Sequence, residues 1–99
     1  MIYFVESESG HIKIGYCSTN MYARLNVIQN GCPYKVKLIK TIKGSRLKER
    51  AIQKNFKKYN VMREWFIITD ELLEFIKNPY FIPGERAKRK RKPTWLQGF

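Results

Sequence analysis

Histidine occurs once in these 99 residues, cysteine twice, proline four times, and acidic side chains only eight times. Each scarcity closes off a class of function. One histidine (His11) and two cysteines (Cys17 and Cys32) leave no paired ligands at zinc-site spacing, and a disulfide framework is not how such a chain holds together. Both cysteines read as reduced structural thiols. No apolar run approaches the roughly 20 residues that cross a bilayer. The first residues also lack the basic-then-apolar order of a secretory leader. The expected setting is intracellular: cytoplasmic, or nuclear in a eukaryotic host, with no membrane partner. No small-molecule cofactor is expected, and oligomeric state is not readable from the sequence.

What is plentiful is positive charge. Twenty Lys and Arg against eight Asp and Glu give a net +12 and a pI near 10.0. Such an excess attracts polyanions and makes their binding fall steeply with salt. From Pro83 onward Arg86, Lys88, Arg89, Lys90, Arg91 and Lys92 outweigh Glu85, and +7 still stays on the rest of the chain. Hydrophobic residues at 43% and aromatics at 14% are ample for one folded domain. The division expected is a domain over residues 1–82 and a basic, flexible arm over 83–99, which could track a phosphate backbone with Trp95 stacking on a base. A localisation signal or a solubilising tail would have the same composition.

Ile2 to Val5 and Ile12 to Gly15 are short β-rich runs around Ser7-Glu8-Ser9-Gly10, which predicts a β-hairpin. Alternation puts Ile12 and Ile14 on one face and His11 and Lys13 on the other, with Tyr3 beside the polar strand rather than deep in the core. Gly15 marks a place of close backbone approach. Thr19 or Asn20 caps a helix to about Gln29, with Met21, Leu25 and Ile28 inward and Arg24 bordering that stripe. A strand follows over 35–43, then a helix from Arg46 to about Tyr59, with Glu49 at the edge of an apolar face of Leu47, Ala51, Ile52, Phe56 and Tyr59. Trp65 to Ile68 is a last strand, with Trp65 and Phe66 packing on the sheet, and Asp70 caps a short helix to Lys77. The expected fold is a small α/β (α+β) domain with a mainly antiparallel sheet of about three strands, in the order β-β-α-β-α-(β)-α.

Tyr3 before the hairpin, Lys13-Ile14-Gly15 after it, Arg24 on the first helix, Glu49 on the second and Glu64-Trp65-Phe66 near the end form an ordered set. It resembles the GIY-YIG nuclease superfamily, in the compact branch that carries Lys-Ile-Gly and Glu-Trp-Phe, over about residues 1–76. Hydrolysis of a phosphodiester needs an activated water, positive charge on the phosphate and usually a divalent metal. The resemblance implies a metal-dependent DNA endonuclease. In it Glu49 binds one Mg²⁺ or Mn²⁺ and Tyr3 positions or deprotonates the water. The planar donors of Arg24 suit the scissile phosphate.

Lys13 stands where most of the superfamily has a second tyrosine, and can hold phosphate charge or act as a base. Gln53 stands one turn after Glu49, where that branch often has a histidine. Lys13, Tyr16 and Arg24 join the arm residues Lys88, Arg89, Lys90, Arg91 and Lys92 as expected nucleic-acid contacts. Each side chain has a plainer reading: an ion pair of Glu49 with Arg46, Arg50 or Lys54, a solvated Arg24, a packing Tyr3, an exposed hairpin His11, and Glu64 paired with Arg63 or a strand lysine. Two other functions stay open, a nucleic-acid-binding module without catalysis and a basic protein that binds or inhibits an acidic partner.

Overall fold

The computed structural model describes residues 1–79, so Lys88, Arg89, Lys90, Arg91, Lys92 and Trp95 lie outside the described residues. β1 (Ile2–Ser7) and β2 (His11–Tyr16) pair antiparallel from Ile2↔Tyr16 to Ser7↔His11. Gly10 closes the turn at φ +88°, a conformation open to glycine and strained for other residues. β3 (Val36–Ile42) adds to the outer side of β1, while β5 (Trp65–Ile67) adds to β2 and β4 (Asn60–Met62) to β5. The sheet therefore has five strands in the order β3-β1-β2-β5-β4, all antiparallel, where about three were expected. The mixed α/β class and its antiparallel character hold. The surplus is the β4–β5 hairpin, two three-residue strands turned at Arg63, where the chain enters the left-handed region at φ 49°. The Asn60 side-chain amide ties that turn by donating to the carbonyls of Arg63 at 2.7 Å and Trp65 at 3.1 Å.

Alternation along the strands builds a core on each face of the sheet. On one face Ile2, Phe4, Ile12 and Ile14 meet Ile52 of α2 (Arg46–Asn55), Phe56, Phe66, and Leu72 and Phe75 of α3 (Asp70–Lys77). Phe75 packs edge-on to Phe4 and to Phe56, with centroids 6.3 and 5.3 Å apart; truncating such a ring costs about 3–5 kcal/mol. On the other face Tyr3 and Val5 meet Ile28 of α1 (Met21–Asn30), with Met21, Leu25 and Trp65 packed around them. The apolar residues of β3 do not alternate, and a bulge reconciles them. Val5 faces Leu38 but Phe4 faces Lys40, so Val36 and Leu38 serve the second core while Ile39 and Ile42 serve the first.

The helix starts follow local capping chemistry. Asn20 accepts from the amides of Tyr22 and Ala23, Ser45 from Lys48, and Thr69 rather than Asp70 caps α3 by accepting from Leu72. The second helix stops at Asn55 instead of running on to Tyr59, because Phe56 turns into the first core and a 3₁₀ turn (Lys57–Tyr59) follows. Leu47, expected inside, is exposed. Tyr3 lies beside β2, paired with Gly15, as expected, but it is only 2% exposed and belongs to the second core rather than standing outside it. Gly15 opposite it has no side chain, and the phenol ring lies across that gap: a Cβ at Gly15 would stand 2.8 Å from Tyr3 Cε1 and closer still to Cζ and the hydroxyl.

Candidate active site

β2 runs further than its neighbour β5. The pairing His11↔Ile67, Ile12↔Phe66, Lys13↔Trp65 ends where the Ile14 amide donates to the Glu64 carbonyl at 3.0 Å. Beyond that point no residue of β5 continues the ladder, and an α2 side chain substitutes for it: the Gln53 amide donates to the Ile14 carbonyl at 2.8 Å and to the Glu49 carboxylate at 3.1 Å. Gln53 and Glu49 are one helical turn apart, so a single amide anchors the acid to the sheet edge.

Four of the side chains singled out by sequence act on one another at this edge. The Tyr3 phenol crosses Gly15 from the face of the second core. Lys13, on that same face, has its ammonium 3.0 Å from the Glu64 carboxylate and 5.5 Å from the centroid of the Trp65 ring. Arg24 rises from α1, exposed at its surface, and reaches the Cys17 thiol and the field of Tyr3. Glu49 reaches the edge from α2, which packs on the other face, and is 5% exposed. Tyr16 also packs toward that other face, its ring under the Arg46 guanidinium at 5.0 Å. His11 sits at the far, hairpin end of β2, where its Nδ1 hydrogen-bonds the Ser9 hydroxyl at 2.9 Å.

The electrostatics follow from burial. Tyr3 is pushed up to about 12, first by desolvation and then by the negative charge of Glu64, with Arg24 opposing. Its hydroxyl therefore stays protonated throughout the neutral range and is able to donate a hydrogen bond. Glu49 is held above the usual carboxylate range, chiefly by burial and next by Glu64, while Arg46, Arg50 and Lys13 pull the other way. None of the helix cations expected to pair with Glu49 does so: among the described residues no Lys or Arg nitrogen lies within ion-pair distance of it. Burial pushes the Cys17 thiol up, but hydrogen bonds with Thr19 and Arg24 outweigh it and the net direction is down. Cys17 and Cys32 are free thiols.

One member of the cluster was undervalued by sequence reading. Gln53 cannot exchange protons, yet its spacing of four from Glu49 is the signal that one side chain supports the other. Glu64 keeps the plainer role expected of it, a pair with a strand lysine, which is Lys13. The turn at Arg63 brings it round onto Lys13, a placement that depends on a two-strand pairing too short to register as a pattern.

Hydroxyl donor, two cations and two carboxylates around one edge can bind a phosphodiester and a hard cation together. Among the described residues no group of three or more His, Cys, Asp or Glu side chains could hold a metal on its own, and no helix is long and apolar enough to cross a membrane.

The T5orf172 domain model matches residues 1–78, and the chain belongs to that family. No curated protein and no solved structure matches the chain. The assignment to the GIY-YIG superfamily is corrected by this finding, since the matching model is T5orf172 and not GIY-YIG. The tyrosine and glycine that suggested it have a packing cause, the ring of one needing the bare backbone of the other. T5orf172 domains are nuclease-like or DNA-binding, which places the chain's function with nucleic acids.

Proposed function

We propose that this T5orf172 domain is a divalent-cation-dependent endonuclease that hydrolyses DNA phosphodiester bonds at the edge of β2. The carrying observation is Glu49, a 5% exposed carboxylate with no ion-pair partner among the described residues of a chain that has 20 basic residues. A buried acid is paired, neutralised by a raised proton affinity, or matched by a metal ion. Glu49 shows the second of these, and we read its place beside Lys13 and Glu64 as favouring the third when a divalent ion is present. Its donor chemistry fits: the carboxylate oxygens of Glu49, with Glu64 nearby, are of the kind that would hold Mg²⁺ or Mn²⁺, with further oxygen ligands to come from outside the chain. When bound, such a cation supplies Lewis-acid stabilisation of charge on the phosphoryl group.

The residues of the chain do the rest. Arg24 binds non-bridging phosphate oxygens through paired donors, and Lys13 adds a point charge on the same anion. Tyr3, protonated at neutral pH because its ionisation is pushed up to about 12, orients the attacking water or a phosphate oxygen and does not deprotonate it. Gln53 positions Glu49 by holding it to Ile14.

Supercoiled plasmid incubated with Mg²⁺ or Mn²⁺ tests the reading. The expected result is nicking that EDTA and Glu49→Gln abolish, with DNA affinity retained in the variant. A second reading, a binding module without catalysis, is favoured by the Lys13–Glu64 ion pair, which already occupies the strand cation. Retarded but uncut DNA under every divalent cation would establish it and overturn the hydrolase.

A further inference from the structure

We infer that the groove running from Lys13 and Arg24 toward Tyr34 and Met62 is a seat for an unpaired nucleobase beside the phosphate held at the β2 edge, so that the strand bound there is single or locally unstacked. The inference rests on the phosphodiester reading of that edge. Two cavities of about 370 and 400 Å³ lie on the face of the sheet that carries Tyr3, and both are lined by Trp65 and Cys32, which makes them neighbouring parts of one groove. The first has Lys13 and Arg24 in its wall. The second is bounded by Tyr34, Val61 and Met62, with His11 and two serine hydroxyls beside them.

The chemistry of the walls identifies the occupant. Tyr34, Val61 and Met62 are 51%, 52% and 64% exposed, an apolar rim left in water. Trp65 is half-buried and paired across the strands with Lys13, whose ammonium lies over its ring. No carboxylate lines either cavity, whereas Lys13 and Arg24 do. An aromatic floor that ends in two cations fits a π-face joined to a phosphate, which is one nucleotide of a strand. A base inside a duplex is stacked on its neighbours and cannot enter such a groove without leaving them. Continuity with the Lys13 and Arg24 site sets the order along the strand: phosphate at the edge, where it draws the Lys13 ammonium from over the Trp65 ring, and base in the neighbouring cavity between Trp65, Tyr34 and Met62.

The test uses the full chain carrying Trp95→Phe, which leaves Trp65 as the only tryptophan. Single-stranded DNA oligonucleotides are expected to quench its fluorescence and to bind more tightly than duplexes with the same number of phosphates. An abasic nucleotide walked along the oligonucleotide should weaken binding at one position by roughly 5- to 100-fold. Because Trp65 also packs on the second core, the protein-side variant is the exposed pair Tyr34→Ala and Met62→Ser, expected to relax the preference for single strands with the thermal transition unchanged. Equal affinity for single strand and duplex, with no quench and a flat abasic profile, overturns the inference. The hydrolase can fail separately: Glu49-dependent nicking with a flat profile removes the groove alone, and a positioned base with no cleavage removes the hydrolase alone.

Discussion

Replacing Gly15 with alanine should push the Tyr3 ring out of place, and the cost follows from distances in the structure. A Cβ at Gly15 stands 2.8 Å from Cε1, so the ring must retreat by more than 0.6 Å to regain an ordinary 3.4 Å contact. It has little room to do so, being 2% exposed and packed against Val5, Cys17 and Ile28. Overpacking of this kind costs about 1–3 kcal/mol, which in a domain this small lowers Tm by about 4–8 °C per kcal/mol. The backbone is not the obstacle, since φ at Gly15 is not positive and alanine in a strand is favoured over glycine by about 0.5–1 kcal/mol. The two contributions separate in a double-mutant cycle measured by thermal or urea unfolding. In a Tyr3→Leu background, where the Cζ and hydroxyl are gone, Gly15→Ala should become neutral or stabilise by about 0.5 kcal/mol. An equal loss in both backgrounds would show that the ring does not depend on the bare backbone, and the account of how the phenol reaches the site would fail.

Glu49→Gln should raise stability at neutral pH by about 0.5–2 kcal/mol, as removal of a strained site group commonly does. The sign is set by the raised proton affinity of Glu49: the folded state holds its proton more tightly than the unfolded chain, so the wild type loses stability as pH rises from the ordinary glutamate range through the raised value. The advantage of the variant should vanish below about pH 4.5, and Mn²⁺ should raise Tm of the wild type but not of the variant. Ultraviolet titration of wild type against Tyr3→Phe should show that the missing tyrosine is the one ionising near pH 12; a difference centred near 10 would refute its burial effect. Arg63→Gly should stabilise by about 0.5–1 kcal/mol by relieving the left-handed residue of the β4–β5 turn, whereas Asn60→Ala should destabilise by a similar amount through two lost hydrogen bonds.

The first hairpin, both long helices and the antiparallel character of the sheet were legible because each is written locally: alternation on β2, Asn20 and Ser45 as caps, apolar spacing along α1 and α2. The β4–β5 hairpin was not, since three-residue strands carry too little alternation to count and their turn uses an arginine where a glycine would have announced it. Tyr3, Lys13, Arg24 and Glu49 lie near one another at the β2 edge, for reasons that differ from those the motif suggested. Glycine opposite tyrosine is a packing requirement, and the burial of Glu49 without a cation depends on Gln53 reaching a strand 39 positions earlier in the chain. Long-range pairing of that kind leaves no periodic trace. The family assignment failed for a related reason, because three-residue motifs on a tyrosine–glycine hairpin are satisfied by packing alone.

The brevity of β5 has a consequence for how such a domain changes over time. An insertion that lengthened the β4–β5 hairpin by one residue pair would offer the Ile14 carbonyl a main-chain donor and evict the Gln53 amide, freeing Glu49 from its tether. Selection for a sturdier molecule would welcome that insertion, and the proposed chemistry would be lost without any of its side chains having been altered.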